Sequence, residues 1–430
     1  MTAGRYVVLG LAGVRSAWPR DVTGWAMSGA LPIEFTKCVS AEEVRARLRS
    51  GRTHSAVLIG ADAVGVDRDL IAVIAEFGCT AIVVGSDDTD WTALGASARL
   101  HEVFGRDDLL DRLESVAVPL GGADDRFVEA ADTPTRSLNP DGALVGVLGR
   151  GGAGTTTLTT AIAQECAVGG RRSVVVADLN RRADMAMLHD ATDVVPGLQE
   201  LVEAHRHGAC TATRTRSMTF RVPTRGYDLL LGRRRTSDWV SLRPAATAAA
   251  ISGLRAAYDL VVTDVDADLE GEADTGSIDV EDRNVAARSV VTVADLVLVV
   301  SDPSLSGLHR LVSIIEELDR SGVPADRIIP VVNRAPRAPG ARAELHTSLC
   351  SLVAPDVVAE LHPTLFVGAR RHVDDTHRSG TRLPATLGRD LTVAIDLALD
   401  RIGRRSMTSD EPEPVPVGSL GTSAMAGDER

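Results

Sequence analysis

Residues 143–157 read ALVGVLGRGGAGTTT, and 158–169 continue LTTAIAQECAVG. A short apolar run, a glycine-rich stretch and an apolar run at helical spacing make a strand–loop–helix unit. Gly149 and Gly154 have the separation found in the phosphate-binding loop G-x-x-x-x-G-K-[ST], and Thr156 holds its Ser/Thr position. Glycines there let successive backbone N–H groups turn inward around phosphate oxygens, at the positive end of the following helix. Thr156 would offer its hydroxyl to Mg²⁺. The lysine position is occupied by Thr155. A neutral hydroxyl does not replace an ammonium beside the β- and γ-phosphates, because charge-assisted bonds are about twice as strong as neutral ones. The loss is expected to cost a few kcal/mol of binding. A ligand-free strand–helix turn reads similarly, but the strand before and the helix after favour the phosphate loop.

The chain offers no obvious substitute. Lys37 is its single lysine, against 45 arginines. A genome that favours arginine codons accounts for Lys-to-Arg exchange, not for Lys-to-Thr. At 430 residues, 44% hydrophobic and 24% charged, the chain has material for two domains, each with its own core. A net charge of −13 argues against nucleic acid as the default partner. No apolar run reaches the ~18 residues of a membrane span. The N-terminus has an apolar stretch but no basic region ahead of it, and reads as a strand and turn, not a signal peptide. Five scattered cysteines, with no Cys-x-x-Cys pair, fit a reducing compartment and no zinc site.

Further along, Ser173–Asp178 (SVVVAD) and Tyr258–Asp264 (YDLVVTD) are apolar strands that end in an acid. The second has the form of a Walker B strand, whose Asp264 would hold Mg²⁺ through water; the alternative is a strand ending in a solvated acid. The stretch from Val265 to Asp282 is acidic and is expected to be a solvated loop. Ala294–Ser301 and Ile328–Arg334 read as two more strands. The last helix, Leu391–Ile402, puts Leu391, Ala394, Ile395, Ala398 and Ile402 on one face, for core packing rather than a membrane. Arg370, Arg371, His372, His377, Arg378 and Arg382 form a cluster expected on a solvated helix face. The histidines lack a ligand spacing, so no metal beyond Mg²⁺ is assigned.

The glycine loop resembles the deviant Walker A loop, K-G-G-x-G-K-T-T, of the MinD/ParA family of ATPases. That resemblance implies bound ATP and Mg²⁺, lined by Gly149, Arg150, Gly151, Gly152, Ala153, Gly154, Thr155, Thr156 and Thr157. Arg150 stands where the family has the lysine that reaches across a dimer to the partner's phosphates. Asp178 and Asn180 match the family's D-x-D, whose second acid orients the attacking water, so they are the catalytic candidates; the Asn180 amide lacks the needed charge. Thr156 and Asp264 are the metal candidates. Asn333 matches the asparagine that contacts adenine, with a strand-end turn residue as the alternative. The stretch after Asp264 lacks the prolines common in the family.

Residues 1–119 alternate strands and helices: strands at Tyr6–Leu9, Ile33–Cys38, Ala56–Ile59, Ala81–Val84 and Leu100–Phe104, with helices such as Ala41–Arg49, capped by Ser40, and Asp107–Val116. This half resembles the receiver domain of two-component regulators, without its chemistry. The first strand runs into Gly10, Leu11 and Ala12 instead of acids, Asp62 comes about two residues late for a phosphate acceptor, and Phe104 and Gly105 stand where receivers carry lysine. The expected fold is α/β throughout: a receiver-like (flavodoxin-like) domain at 1–119, a linker at 120–140, a MinD/ParA-like P-loop domain with a doubly wound sheet at 141–406, and a disordered acidic tail at 407–430.

A receiver-like domain ahead of a MinD/ParA-like one resembles the layout of CpaE/TadZ proteins and of the actinobacterial septum-site-determining type. The resemblance implies a spatial regulator of septum placement or of pilus and secretion machinery. It would be a cytoplasmic homodimer that binds protein partners, recruited to septum, pole or inner membrane face, with a degenerate ATP site. The alternative is an active ATPase switch in which Arg150 compensates for the missing lysine. A phosphorylated response regulator would need an acceptor Asp in register, which is absent.

Overall fold

The structure is a computed structural model that describes residues 4–120, 142–170, 172–191 and 195–409, with backbone alone from 404. The linker expected at 120–140 lies outside the described residues except for Leu120. That residue stays with the first domain, pairing with Arg5 through two backbone hydrogen bonds of 2.8 Å. The tail from 410 onward lies outside the described residues as well.

The first domain is a parallel sheet of β1 (Tyr6–Leu11), β2 (Ile33–Cys38), β3 (Ala56–Gly60), β4 (Thr80–Val84) and β5 (Ala98–Leu100) in the order β2-β1-β3-β4-β5. That is the flavodoxin-type doubly wound order. Helices α1 (Trp18–Met27), α2 (Ala41–Arg49), α3 (Arg68–Glu76) and α4 (Arg106–Val116) cover its faces. Ser40 caps α2 by accepting from Glu43 N, and Asp67 caps α3 by accepting from Leu70 N. Two expectations fail here. The fifth strand lies at 98–100, not 100–104, because Arg99 is held on the sheet by Gly85 O and Asp87. Between β4 and β5 runs a turn closed on Trp91 O, which accepts from Leu94 N and Ala96 N, not a helix. Asp62 bends back over Gly13 and accepts from the Ser16 hydroxyl at 3.0 Å.

The second domain holds eight strands: β6 (Ala143–Leu148), β7 (Val174–Asp178), β8 (Phe220–Val222), β9 (Tyr227–Leu230), β10 (Leu260–Val265), β11 (Leu296–Ser301), β12 (Ile328–Ala335) and β13 (Leu365–Gly368). Their order is β13-β12-β11-β6-β10-β7-β9-β8, parallel except for the β8–β9 hairpin. Both faces are covered, so the central strands are continuous apolar runs. Helices α5 (Thr155–Cys166), α6 (Met185–Leu188), α7 (Leu198–His207), α8 (Ala212–Arg216) and α9 (Pro244–Ala257) lead up to β10. The chain leaves β6 toward β7, returns to place β10 between them, then crosses to β11 on the other side. The strand order therefore reverses around β6, and a crevice opens at the carboxyl ends there.

The C-terminal helix, Arg389–Ser409, buries Leu391, Ile395 and Ala398 in the core shared with α5. Among the described residues no helix is long and apolar enough to cross a membrane. The two domains keep separate apolar cores and meet through polar groups on α3, α7 and α9.

Candidate functional site

The loop between β6 and α5 has its shape enforced by contact. A Cβ on Gly149 would lie 2.3 Å from Val300 O of the neighbouring β11, so only glycine passes. Gly152 and Gly154 have φ of +87° and +89°, where side chains are strained. A Cβ on Gly154 would also meet Asn333 Nδ2 at 2.4 Å. Ala153 N donates back to Arg150 O, closing the turn at 3.1 Å. Arg150, Gly151 and Gly152 are exposed along the lip, whereas Ala153 and Thr155 are buried. Thr155 Oγ1 folds toward the exit of β6, 2.8 Å from where a Gly149 Cβ would stand.

Asn333 and Arg334 clamp this loop from β12. Asn333 Nδ2 donates to Ala153 O at 2.8 Å, its Oδ1 accepts from Arg334 N at 2.8 Å, and the Arg334 guanidinium donates to Gly152 O. The Asn333 amide is thus spent on the loop, and its place beside an adenine remains a proposal. A cavity of about 520 Å³ adjoins it, lined by Gly154, Thr157, Asn333, Arg334, Arg370 and His372 among others. His377, expected on a solvated face, is instead buried, with Nε2 3.4 Å from the Thr157 hydroxyl. Its imidazole reaches Thr157 of α5, a contact that the polar look of the sequence does not show.

The carboxylates lie on the other side of the loop. The Thr156 hydroxyl donates to Asp264 Oδ2 at 2.6 Å, while Asp264 Oδ1 is buried without a partner among the described residues. Burial pushes the Asp264 carboxyl up to about 7, with Asp184 and Asp266 adding to the rise. Asp178 is fully buried, and burial together with Asp264 raises it well above the ordinary range. Its oxygens accept from Asn180 N at 3.4 Å and Met185 N at 3.0 Å, so it shapes the turn that follows β7. Asn180 is half-buried, and its Oδ1 accepts from Arg182 N at 3.2 Å.

A buried carboxylate oxygen that makes no hydrogen bond, with the Asn180 amide close to the carboxyl and a threonine hydroxyl on its other oxygen, fits a hard divalent cation such as Mg²⁺. No group of three or more His, Cys, Asp or Glu among the described residues is arranged to hold a metal ion by itself. A bound ion here would therefore complete its shell with water and phosphate oxygens, the usual habit of Mg²⁺. The ion would supply the positive charge that lets Asp264 and Asp178 ionise.

The acidic stretch after β10 is exposed at Glu270, over 272–276 and at Asp279, as its charge suggested, but it is not a loop throughout. It contains two short helices, Glu272–Thr275 and Ile278–Arg283. Arg181 donates to Asp266 at 2.9 Å and lies 3.0 Å from Asp268, and Asn284 Nδ2 donates to Asp268 Oδ1 at 3.0 Å. Sequence reasoning missed Arg181, Asp184 and Arg233, all close to these acids. The only signal for Arg233 was the run GRRR after an apolar strand, at 232–235.

No family model and no curated protein matches the chain. Among solved structures it is similar to the ParA family ATPase of Chlorobium tepidum TLS, at 16% identity over 60% of this chain and 98% of that one, with a TM-score of 0.47. It is similar also to the cell division ATPase MinD of Pyrococcus furiosus (18%, 61% and 99%, TM-score 0.41). A third is the septum site-determining protein MinD of Pyrococcus horikoshii OT3, complexed with Mg-ADP (16%, 63% and 99%, TM-score 0.42).

Proposed function

We propose that the second domain binds a magnesium–nucleotide, ATP in the first instance, with little or no hydrolysis, and that the chain acts as a spatial regulator through dimerisation and partner binding. The observation that carries this is the pairing of Thr156 with Asp264, which leaves one buried carboxylate oxygen open at the foot of a glycine cradle. Thr156 and Asp264 are the protein's part of the magnesium site in this reading; the charge at position 155 is missing. With Asn180 in place of an acid, the turn after β7 offers no carboxylate at that position to orient water.

The finer reading, placement of the septum or of pilus and secretion machinery, is supported by the order of the domains: a flavodoxin-type sheet ahead of a P-loop domain of MinD/ParA type, the CpaE/TadZ layout. In this reading the chain works in the cytoplasm and is recruited to septum, pole or the inner membrane face. One observation favours the alternative, a working ATPase switch: Arg150 is exposed on the lip of the loop, free to face a second copy.

Calorimetric titration of the full chain with MgATP, beside Thr155→Lys, tests the proposal. Wild type is expected to bind weakly and the variant about 10- to 100-fold more tightly, the worth of one charge-assisted phosphate bond. If neither protein binds, the nucleotide reading is wrong. Wild-type turnover abolished by Arg150→Ala would establish the switch instead.

A further inference from the structure

Arg233 follows β9, which pairs in parallel with β7 so that Leu230 lies opposite Ala177. It therefore leaves the sheet at the same end as Asp178, Asp264 and the glycine loop. Gly232 permits the close approach: a Cβ there would stand 2.5 Å from Asp178 O and 2.6 Å from the Ala183 side chain. Arg233 is only 5% exposed, yet its Nε and Nη1 have no hydrogen-bond partner among the described residues. Its neighbour Arg234 is committed elsewhere, to Glu200 and Gln199. Arg181, the other nearby cation, is taken by Asp266 and Asp268.

A buried guanidinium with two idle N–H groups is costly unless something fills them. The carboxylates whose fields reach it are Asp178, Asp266 and Asp238, and none of them bonds Nε or Nη1. Nε and Nη1 face opposite edges of the guanidinium, and either one, with Nη2 beside it, grips a phosphate with two parallel bonds. From β6 to β9 is three strand spacings, roughly 14 Å. A triphosphate reaches one phosphate further into that span than a diphosphate does.

We propose that Arg233 binds the terminal phosphate of a nucleoside triphosphate, supplying from β9 the positive charge that Thr155 cannot. The inference rests on the reading of this crevice as a nucleotide site, and it adds a preference for triphosphate over diphosphate.

The test is calorimetric titration of the full chain with MgATP and MgADP, for wild type, Arg233→Met and Arg233→Lys. Wild type is expected to prefer ATP by about tenfold or more, a preference that Arg233→Met abolishes by weakening ATP alone. Adding Thr155→Lys to Arg233→Met restores tight ATP binding, which a merely structural role for Arg233 would not allow. If Arg233→Met fails to fold by its melting curve, Arg233→Lys decides: a reduced ATP-to-ADP ratio supports the proposal, and an unchanged ratio overturns it. Wild type that binds both nucleotides with a ratio indifferent to position 233 overturns this inference and leaves the nucleotide site standing. Wild type that binds neither overturns this inference, and the nucleotide site falls with it only if Thr155→Lys is silent as well.

Discussion

Nε of Arg181 donates to Oδ2 of Asp266 at 2.9 Å, joining the turn after β7 to the turn after β10. The two segments that flank the buried carboxylates are thereby fastened to each other, with Asp268 and Asn284 extending the tie. Both partners are about a quarter exposed, so the bridge is worth about 1 kcal/mol at most. Arg181→Ala should melt only slightly lower than wild type. Its signature is local: amide exchange across 180–184 and 266–271 should accelerate, while β6 and β11 stay protected. Unchanged exchange in those turns would show that the bridge fastens nothing.

The glycines of the phosphate loop should separate sharply under substitution. Gly149→Ala places a Cβ 2.3 Å from Val300 O, against a strand that cannot yield, whereas a Cβ on Gly151 meets nothing within 4 Å. Overpacking of this kind costs about 1–3 kcal/mol or more. Gly149→Ala should therefore lower the melting temperature by several degrees, and Gly151→Ala should leave it unchanged. Equal melting temperatures would mean that the loop does not approach β11 as described.

The two domains meet where Asp69, on α3, accepts from Ala245 N at the start of α9 across 2.7 Å. Arg68 donates to His205 O and Arg206 to Asp67 on either side. Asp69 Oδ2 is buried without a partner, and burial raises the carboxyl above its ordinary range. A raised folded-state value means that the neutral acid is the form that folding favours. Its contribution is full below the unfolded value and fades as pH climbs through the folded one. Once deprotonated, the carboxyl carries a charge that the contact does not need. Asp69→Asn keeps an oxygen for Ala245 and removes that charge. It should melt about 2 °C or more above wild type at pH 8, with the difference shrinking toward pH 4. A variant that melts below wild type at pH 8 would show that the ionised form is the one that holds the domains.

What the sequence displayed was continuity. Strands β6, β7, β10, β11 and β12 are unbroken apolar runs that end at Gly149, Asp178, Asp264, Ser301 and Asn333, so the centre of the sheet and the loop residues were legible. Short edge elements were not: β8 and β9 carry three and four residues, and their hairpin placed Arg233 beside Asp178 without any visible period. Partners distant in sequence were equally hidden. The acids at 266 and 268 looked solvated because Arg181, the residue that pairs with them, lies 85 positions before the first. His377 looked like surface for the same reason: Thr157 is 220 positions away.

His189, which caps the C-terminus of α6, gives the fold an acid-sensitive point. Its Nδ1 donates to Met185 O at 2.7 Å, which leaves Nε2 as the acceptor facing the Tyr227 hydroxyl at 2.6 Å and Arg225 Nη1 at 3.1 Å. A second proton would set a donor against the buried Arg225 guanidinium and force the Tyr227 hydroxyl to turn and accept. Burial first, then the Arg225 and His377 charges, hold the imidazole down at about 4, against 6.5 in the unfolded chain. A depressed folded value means stability that is present above pH 6.5 and is lost as pH falls through about 4. The full difference is worth about 3 kcal/mol. His205, likewise buried and held at about 4, titrates in the same window, so wild type alone does not isolate either group. His189→Leu does. It leaves Tyr227 and Arg225 short of a partner and should cost about 1–2 kcal/mol at pH 7.5. Between pH 6.5 and 4 the variant should lose less stability than wild type, so the two melting curves converge on acidification. Parallel curves across that range would mean that His189 takes its proton without disturbing Tyr227, and that acid reaches the fold by another group.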